Sequence, residues 1–460
     1  MPERPAAACK PEEKPARKPG RAVPGEARRV RADAEKGGRG AGRVFEKGVR
    51  PHDGRKAHVT EGTPGLRLDV PPARLFMPDT FAAEALRRLP EVLDAVMPLR
   101  RAHRADLPDA IRELSAQLTT ERYALARSYW SSPRLVSAYL RYFLPWNLLR
   151  LHCLFRDLDL PLPPEGTVPS MVDLGSGPLS VPLALWISRP EWREAPLRVV
   201  CADTAPRPMA LGLQLLEQLA GLMGVPLTWQ IRLERAPLTR VLNDIRLRPT
   251  LLTGGNVLNE WQAQSQDASI PFGERVGEVA MAVARQLPEE GTALFVEPGT
   301  RLGGTLTATL RQAALEEGLW AVAPCPHAQE CPLLGRRDRG WCHVHRELAP
   351  DAAPAWLSSL TQAARLAKQS LSFSYIQLRR AGTEATQPER GPVGARLLSD
   401  AFLVPGLGQA RYACSSRGLL LVPHAARLCP GSLVACRLGS SPRRDGKSGA
   451  LIVEELADGR

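Results

Sequence analysis

The chain has 460 residues, of which 44% are hydrophobic and 24% charged, enough for a folded core and, at roughly 150 residues per domain, for about three domains. No run of 18 apolar residues occurs, the N-terminus lacks an apolar segment, and nine cysteines are too few for a disulfide scaffold, so we expect no membrane-spanning helix, no secretory signal and no membrane partner. The formal net charge is +13, and residues 1–60 hold 16 basic against 8 acidic side chains, so most of this excess lies near the N-terminus.

Residues 1–65 form a predicted disordered basic tail. They are rich in Pro, Gly, Ala and Arg and have few large apolar side chains that could bury surface. The positive charge favours contact with nucleic acid, and the alternative is a solvated tail without a partner. Mitochondrial transit peptides are amphipathic and poor in acids, whereas this tail carries glutamates such as Glu12 and Glu26. We therefore expect a cytoplasmic protein, with the mitochondrial matrix as the alternative.

Residues 66–165 form a predicted helical region. Apolar side chains recur at helical spacing over residues 81–96 and 107–118. An aromatic-rich stretch follows at residues 123–155, and such a stripe is typical of a buried core. Four arginines interleave with it and could contact phosphate or lie along apolar surface: Arg127, Arg134, Arg141 and Arg150.

Residues 166–380 alternate short apolar strands with helical segments. The predicted strands cover residues 171–174, 197–202, 227–231, 250–253, 293–296 and 371–378, and the helices between them include 182–187, 209–223 and 277–287. This alternation predicts an α/β fold with a parallel, doubly wound sheet. A polar linker is predicted at residues 381–395. Short runs at residues 418–422, 432–437 and 450–453 then predict a small β-rich C-terminal region, so that linker and β-rich region together occupy 381–460.

A glycine turn after the first predicted strand is the first chemical signal. Asp173, Gly175 and Gly177 lie in a D-x-G-x-G pattern, in which glycine lets backbone N–H groups approach a ligand. A third glycine and a Walker lysine are both missing from the motif, which argues against dinucleotide and P-loop sites. Asp203 ends the next strand and could accept hydrogen bonds from ribose hydroxyls. The pair predicts an S-adenosylmethionine site, and the alternative is a tight turn without a ligand.

The loop after the fourth predicted strand, residues 254–260, faces the methyl group in class I methyltransferases. It contains Asn256 but no Asn/Asp-Pro-Pro-aromatic motif and no cysteine preceded by proline. The catalytic residue therefore stays unknown at the level of sequence. The candidate cofactor-binding residues are Asp173, Gly175, Ser176, Gly177, Asp203 and Asn256.

A cysteine cluster at residues 324–346 predicts a metal site. Cys325, Cys331 and Cys342 lie among polar, Gly and Pro residues rather than in an apolar run, as core cysteines usually do. Zinc could take these three thiolates together with His343 or His345. An iron–sulfur cluster would need a fourth thiolate, for which the candidates are Cys414, Cys429 and Cys436. The spacing alone does not choose between zinc and iron.

Together these motifs resemble the ribosomal small-subunit methyltransferase-like family, whose mitochondrial member is methyltransferase-like protein 17. The resemblance covers about residues 100–425 and rests on VDLGSGP at 172–178, VEPGT at 296–300, CPHAQECP at 325–332, WCH at 341–343, FSYIQL at 373–378, and Cys414 before Gly418. It implies a class I methyltransferase (Rossmann-like) fold, association with the small ribosomal subunit and its rRNA, and a [4Fe–4S] cluster. The ligands that it implies are Cys325, Cys331, Cys342 and Cys414.

The basic tail differs from a mitochondrial targeting segment, which suggests a bacterial relative. The resulting hypothesis is an rRNA-binding assembly or translation factor that has a methyltransferase fold, carries a [4Fe–4S] cluster and can bind S-adenosylmethionine. The first alternative is an active rRNA methyltransferase. The second is a zinc protein that binds nucleic acid without catalysis.

Overall fold

The computed structural model describes residues 75–119, 129–164, 166–244, 246–264, 269–335, 340–380 and 391–457. The described residues belong to one structural unit, residues 64–460. The predicted tail, Arg127 and most of the predicted linker lie outside the described residues.

The N-terminal part of the described chain is helical. Its helices are α1 (Thr80–Val96), α2 (Arg101–Thr119), α3 (Pro133–Ala138) and α4 (Leu144–Asp157). A 3₁₀ turn (Tyr129–Ser131) precedes α3, and a π-helical turn (Tyr139–Phe143) joins α3 to α4. The Asp79 carboxylate caps α1 by accepting a hydrogen bond of 2.9 Å from the Ala82 N–H. The helices predicted at residues 81–96 and 107–118 are confirmed.

An eight-stranded sheet with flanking helices forms the centre of the molecule. Its elements are β1 (Ser170–Leu174), α5 (Ser180–Ser188), α6 (Pro190–Glu194), β2 (Arg198–Asp203), α7 (Pro206–Leu222), β3 (Gln230–Arg235), α8 (Leu238–Leu242), β4 (Leu251–Gly255), α9 (Val257–Gln264), α10 (Phe272–Gln286), β5 (Thr292–Pro298), α11 (Arg301–Glu316), β6 (Trp320–Ala323), β7 (Val344–Glu347), α12 (Ala355–Ala363) and β8 (Ser370–Arg379). The order is β3-β2-β1-β4-β5-β8-β6, with β7 also paired to β8. No helix of the described residues is both long and apolar enough to cross a membrane.

This strand order is that of the class I methyltransferase fold, which confirms the predicted fold class. The strands β1 to β5 pair in parallel, and β8 joins β5 antiparallel. Apolar side chains alternate between the two faces: Met171 packs into the core that contains α4, α5 and α7, whereas Val172 and Leu174 pack against the side covered by α8, α10 and α11. Because β1, β2 and β4 run in parallel, their carboxyl ends share one edge of the sheet, and the predicted site residues lie there.

A second sheet follows. Its strands are β9 (Val393–Leu397), β10 (Phe402–Val404), β11 (Gly408–Ser415), β12 (Gly418–Val422), β13 (Leu433–Arg437), β14 (Leu451–Ile452) and β15 (Glu455–Ala457). The order is β14-β12-β11-β9-β13-β15, with β10 on β11. The strand β9 begins at Val393, inside the predicted linker, and lies at the centre of this sheet. The strand β3 also differs from its prediction, since it starts at Gln230 rather than at residue 227. It is an edge strand, and its exposed positions include Arg232 and Arg235, which an apolar pattern does not reveal.

The two sheets meet at the insertion between β6 and β7. Both strands pair with the same edge of β8, so the insertion leaves and re-enters the first sheet at one place. Arg396 of β9 donates hydrogen bonds to the carbonyl oxygens of Pro324 (2.7 Å) and Gly431 (2.9 Å). The His345 N–H donates to the Pro430 carbonyl at 3.2 Å. The cysteine-rich insertion therefore forms the junction between the sheets.

Candidate functional sites

The glycine turn after β1 is held by backbone and hydroxyl hydrogen bonds. The Ser176 N–H donates to the Ala202 carbonyl at 3.0 Å, and the Ser176 hydroxyl donates to the Asp173 carbonyl at 2.9 Å. Gly175 has a φ of 62°, and a Cβ there would lie 2.5 Å from Val257 Cγ2. Glycine is required at this position by its backbone conformation and by the close approach of α9.

Asp203 lies directly beside the turn, as the sequence predicts for an acidic partner. Its Oδ2 accepts a hydrogen bond from the Gly177 N–H at 2.9 Å, and its Oδ1 accepts one from the Ala205 N–H at 2.8 Å. An ionised carboxylate has about four lone-pair sites, so each oxygen can still accept a hydroxyl of a ligand. The carboxylate is thus both part of the turn and a wall of the pocket above it.

Asp173 lies behind the turn and does not line the pocket. Its side chain is fully buried, its Oδ1 accepts a hydrogen bond of 2.6 Å from the Thr253 hydroxyl, and its Oδ2 has no hydrogen-bond partner among the residues that the structure describes. Burial raises the pKa of this carboxyl to about 7. Asp173 therefore contributes to the base of the site and is not placed to contact a cofactor directly.

The pocket above the turn has about 570 Å³ of empty space, including its mouth. Five of the six predicted cofactor residues line it: Gly175, Ser176, Gly177, Asp203 and Asn256. Asn256 has a φ of 62°, and its N–H donates to the Val296 carbonyl at 2.7 Å. The structure therefore brings together residues from the ends of β1, β2 and β4.

Three aromatic rings from the helical region form the opposite wall, which sequence reasoning missed. The Trp130 ring centroid lies 4.6 Å from that of Tyr129 and 4.8 Å from that of Tyr139. All three rings line the pocket, whereas Tyr142 and Trp146 from the same stretch are buried in the core. The prediction of a buried core is confirmed for this pair and for Tyr129, whereas Trp130 and Tyr139 are partly buried against the core and also face the pocket. The density of aromatic residues before α4 was the available signal.

Charged groups complete this wall. Tyr129 hydrogen-bonds to Glu260, and burial raises the pKa of the Tyr129 hydroxyl well above its usual range. The Arg150 guanidinium donates to Asn147 Oδ1 at 3.1 Å, while its Nε is buried without a partner. Aromatic faces and a carboxylate in one cavity are suited to the base and the ribose of a nucleoside.

The second candidate site is the cysteine-rich junction. Cys325 lies two residues after the end of β6, Cys331 and Cys342 lie further along the insertion, and Cys414 lies near the end of β11. Burial raises the pKa of the Cys414 thiol well above its usual range, and the negative charges of the other three thiolates raise it further. Cys342 also packs against the apolar cluster that contains Cys414. The four sulfur atoms thus share one buried region.

The other predicted ligands lie elsewhere. Cys436 is fully buried in the core of the second sheet, and the charged groups around Cys429 are Arg346, Glu347 and Arg411 rather than the thiols. The His343 ring stacks on Trp341, and its Nδ1 hydrogen-bonds to the Trp341 carbonyl at 3.0 Å. His345 belongs to β7.

His327, which the sequence analysis did not select, contacts one of the predicted ligands. Its Nε2 lies 2.9 Å from Cys414 Sγ. The buried Arg311 holds the surrounding loop by donating to the carbonyls of His327 (2.8 Å) and Gln329 (2.6 Å). Burial raises the pKa of the Cys325 thiol, and the positive charges of Arg311 and Arg396 offset part of that rise. Its place in the CPHAQECP motif was the one available signal for His327.

Four grouped thiols near two arginines match the donor chemistry of a thiolate-bound cluster. In the part of the chain that the structure describes, however, no group of three or more His, Cys, Asp or Glu side chains is arranged to hold a metal ion. The electrostatic influence between the thiols requires proximity but not coordination distance. Metal binding at the junction therefore stays a prediction.

A model of the family described as mitochondrial small ribosomal subunit Rsm22 matches residues 163–398. No curated protein matches the chain. Among solved structures, precorrin-6y C5,15-methyltransferase from Geobacter metallireducens GS-15 is 14% identical, with a TM-score of 0.28 over 57% of this chain and 95% of that chain. Mitomycin 7-O-methyltransferase MmcR is 15% identical (TM-score 0.30; 59% and 67% covered), and TrmN from Thermus thermophilus is 13% identical (0.28; 53% of each). At these low similarities the assignment of the fold rests on the strand order.

Proposed function

We propose that this chain, which belongs to the mitochondrial small ribosomal subunit Rsm22 family, binds the small ribosomal subunit through its rRNA and holds S-adenosylmethionine in the pocket above the glycine turn. Its class I methyltransferase fold places that pocket at the carboxyl edge of the sheet. The observation that carries the proposal is the meeting of Gly177, Asp203 and the aromatic stack in one cavity. A turn that served structure alone would not need an aromatic wall opposite it.

Each part of the pocket has a role toward the cofactor. Asp203 would accept hydrogen bonds from the ribose hydroxyls, and the ring faces of Trp130 and Tyr139 would pack against the base. Bound S-adenosylmethionine supplies an activated methyl group. No side chain has been identified as the base or nucleophile of a methyl transfer, so we propose binding as the function and keep rRNA methylation as the alternative.

We further propose that Cys325, Cys331, Cys342 and Cys414 hold a [4Fe–4S] cluster, with zinc as the alternative metal. The first three belong to the insertion of the first sheet and the fourth to the second sheet. The hydrogen bond from Arg396 of the second sheet to the Pro324 carbonyl of the insertion, across the same junction, supports this role. The free energy of metal binding would then stabilise the docking of the two sheets.

The domain organisation proposed with this function follows the sequence. It comprises a basic tail (1–65) that contacts nucleic acid, a helical region (66–165), the methyltransferase-like domain (166–380) with its metal-binding insertion (324–346), and the C-terminal β-rich region (381–460). The family description names a mitochondrial ribosomal protein, which supports the mitochondrial matrix over the cytoplasm.

The test combines two measurements on the full chain: ultraviolet crosslinking to purified small subunits, and equilibrium dialysis with labelled S-adenosylmethionine. Asp203→Asn replaces one acceptor oxygen by a donor, so we expect about tenfold weaker cofactor binding with crosslinking to small-subunit rRNA retained. Asp445→Asn, in the loop between β13 and β14, is the matched control and should change neither. Absence of rRNA crosslinks, or unchanged cofactor binding in Asp203→Asn, would refute the proposal. Transfer of label to rRNA would establish the methyltransferase alternative.

A further inference from the structure

A second cleft lies apart from the glycine-turn pocket. It has about 1060 Å³ of empty space, including its mouth, between α4, α12 and two connecting segments, residues 348–353 and 365–369. Its lining includes the side chains of Trp146, Thr361, Arg365 and Lys368. A volume of this order accommodates a ligand larger than a single ion.

The cleft opens at the same edge of the sheet as the cofactor pocket. The strand β8 runs antiparallel to β5, with Phe373 opposite Pro298, so residues 365–369 lie beyond the carboxyl end of β5. Glu347 of β7 pairs with Ser370, which places residues 348–353 at the same edge. The glycine turn follows the carboxyl end of β1, so both cavities face the side where a parallel sheet of this kind binds its ligands.

The charged side chains of the cleft lining are all cationic. Arg365 and Lys368 line it, and no aspartate or glutamate does; Asp351, in the adjacent segment, is not part of the lining. In the described part of the chain neither cation forms an ion pair. The Lys368 ammonium lies 5.7 Å from the centre of the Trp146 ring. The indole N–H of Trp146 donates to the Thr361 hydroxyl at 3.2 Å, which fixes the ring under the lysine.

Arg150 connects this cleft to the cofactor pocket. It lines the first pocket, and the pKa of Lys368 is lowered to about 8 by burial and, to a smaller extent, by the positive charge of Arg150. Lys368 thus feels a second cation, while no carboxylate among the described residues forms an ion pair with it. Such an arrangement is costly unless an anion from outside joins it.

We propose that this cleft binds a backbone phosphate of RNA and thereby holds the strand beside the cofactor pocket. The inference rests on the proposed function, since it assigns the ribosomal RNA a place on the chain. A phosphate would supply the negative charge that Lys368 and Arg365 do not find in the cleft lining. Gln362 and Gln369, which are exposed at the rim, can donate hydrogen bonds to its oxygens. Phosphate contacts position a nucleic acid without reading its sequence, which suits a contact to rRNA next to the site.

The test measures the affinity of the full chain for a short single-stranded RNA oligonucleotide, with inorganic phosphate as competitor, over a series of salt concentrations. Lys368→Gln removes the positive charge while keeping a long polar side chain, and Lys368→Arg keeps the positive charge. Lys447→Gln is the matched control, because Lys447 is the other lysine among the described residues and lies in a turn between β13 and β14. Thermal unfolding of each variant checks that the fold is retained.

We expect Lys368→Gln to weaken RNA binding about tenfold and to flatten the slope of log affinity against log salt by about 0.7. Lys368→Arg should recover most of the affinity, and Lys447→Gln should match the wild type. Equal affinities for Lys368→Gln and Lys447→Gln would overturn the cleft assignment while leaving ribosome association intact. Failure of the wild type to bind RNA would overturn both, and capture of an acidic polypeptide at the cleft in place of RNA would also refute the inference. Cofactor binding should be unchanged in Lys368→Gln, which separates this site from the glycine turn.

Discussion

At the scale of single residues, Asp173 shows how burial sets chemistry. The carboxyl is fully buried, it accepts a hydrogen bond from the Thr253 hydroxyl, and burial raises its pKa to about 7. In the unfolded chain an aspartate titrates near 3.8. The folded protein therefore binds more protons than the unfolded chain between these values, and the contribution of Asp173 to stability is lost as the pH rises toward 7.

The substitution Asp173→Asn removes this linkage while keeping an oxygen for the Thr253 hydroxyl. Between pH 5 and pH 8 the free energy of unfolding of the wild type should fall by about 2–3 kcal/mol more than that of the variant. Denaturant titrations at the two pH values measure the difference. Parallel pH dependence in the two proteins would mean that the carboxyl is ionised in the folded state.

A second prediction concerns Gly175. The substitution Gly175→Ala places a Cβ 2.5 Å from Val257 Cγ2 at a φ of 62°. Gly224 has a similar φ of 66° but open space around it, so Gly224→Ala isolates the backbone strain. We expect Gly224→Ala to cost about 1 kcal/mol of stability, and Gly175→Ala to cost more and to weaken S-adenosylmethionine binding at least tenfold. Equal cofactor binding in the two variants would show that the turn does not shape the pocket.

At the scale of elements, the aromatic wall is delivered by the turns around α3. The short helix and the π-helical turn bring Trp130 and Tyr139 over the glycine turn, where a Cβ on Gly177 would lie 3.7 Å from Trp130 Cζ2. Because that ring borders the pocket, we expect S-adenosylmethionine to change the tryptophan fluorescence of the wild type, and Trp130→Phe to abolish most of the change. Trp320→Phe, in β6, is the control. A full response in Trp130→Phe would place the ligand elsewhere.

The elements also show what sequence could predict. Strands β1, β2, β4, β5 and β8 were predicted because buried strands carry continuous apolar runs, and the glycine turn was predicted from its local motif. Edge strand β3 and the short strands β6 and β7 carry weaker patterns. The grouping of Cys414 with Cys342 depends on which strand of the second sheet faces the insertion, and no local pattern encodes a contact across 72 residues. The pocket wall was missed for a similar reason. The aromatic stretch that contains Tyr129 and Trp130 indicates burial, but it does not indicate which surface these rings cover.

At the scale of the whole molecule, two sheets with separate cores meet at the cysteine-rich insertion. The hydrogen bonds from Arg396 to the Pro324 carbonyl and from His345 to the Pro430 carbonyl cross this junction, and Cys414 from the second sheet lies among the thiols of the first. A metal bound there would contribute its binding free energy to holding the sheets together. The central claim of the proposed architecture is therefore that the second sheet supplies the fourth ligand.

The most direct test is the content of iron, acid-labile sulfide and zinc in the full chain purified without oxygen, compared between Cys414→Ser and Cys429→Ser. The proposal predicts about four irons and four sulfides per chain in the wild type and in Cys429→Ser, and their loss in Cys414→Ser. Zinc without sulfide, or loss of iron in Cys429→Ser with retention in Cys414→Ser, would contradict it.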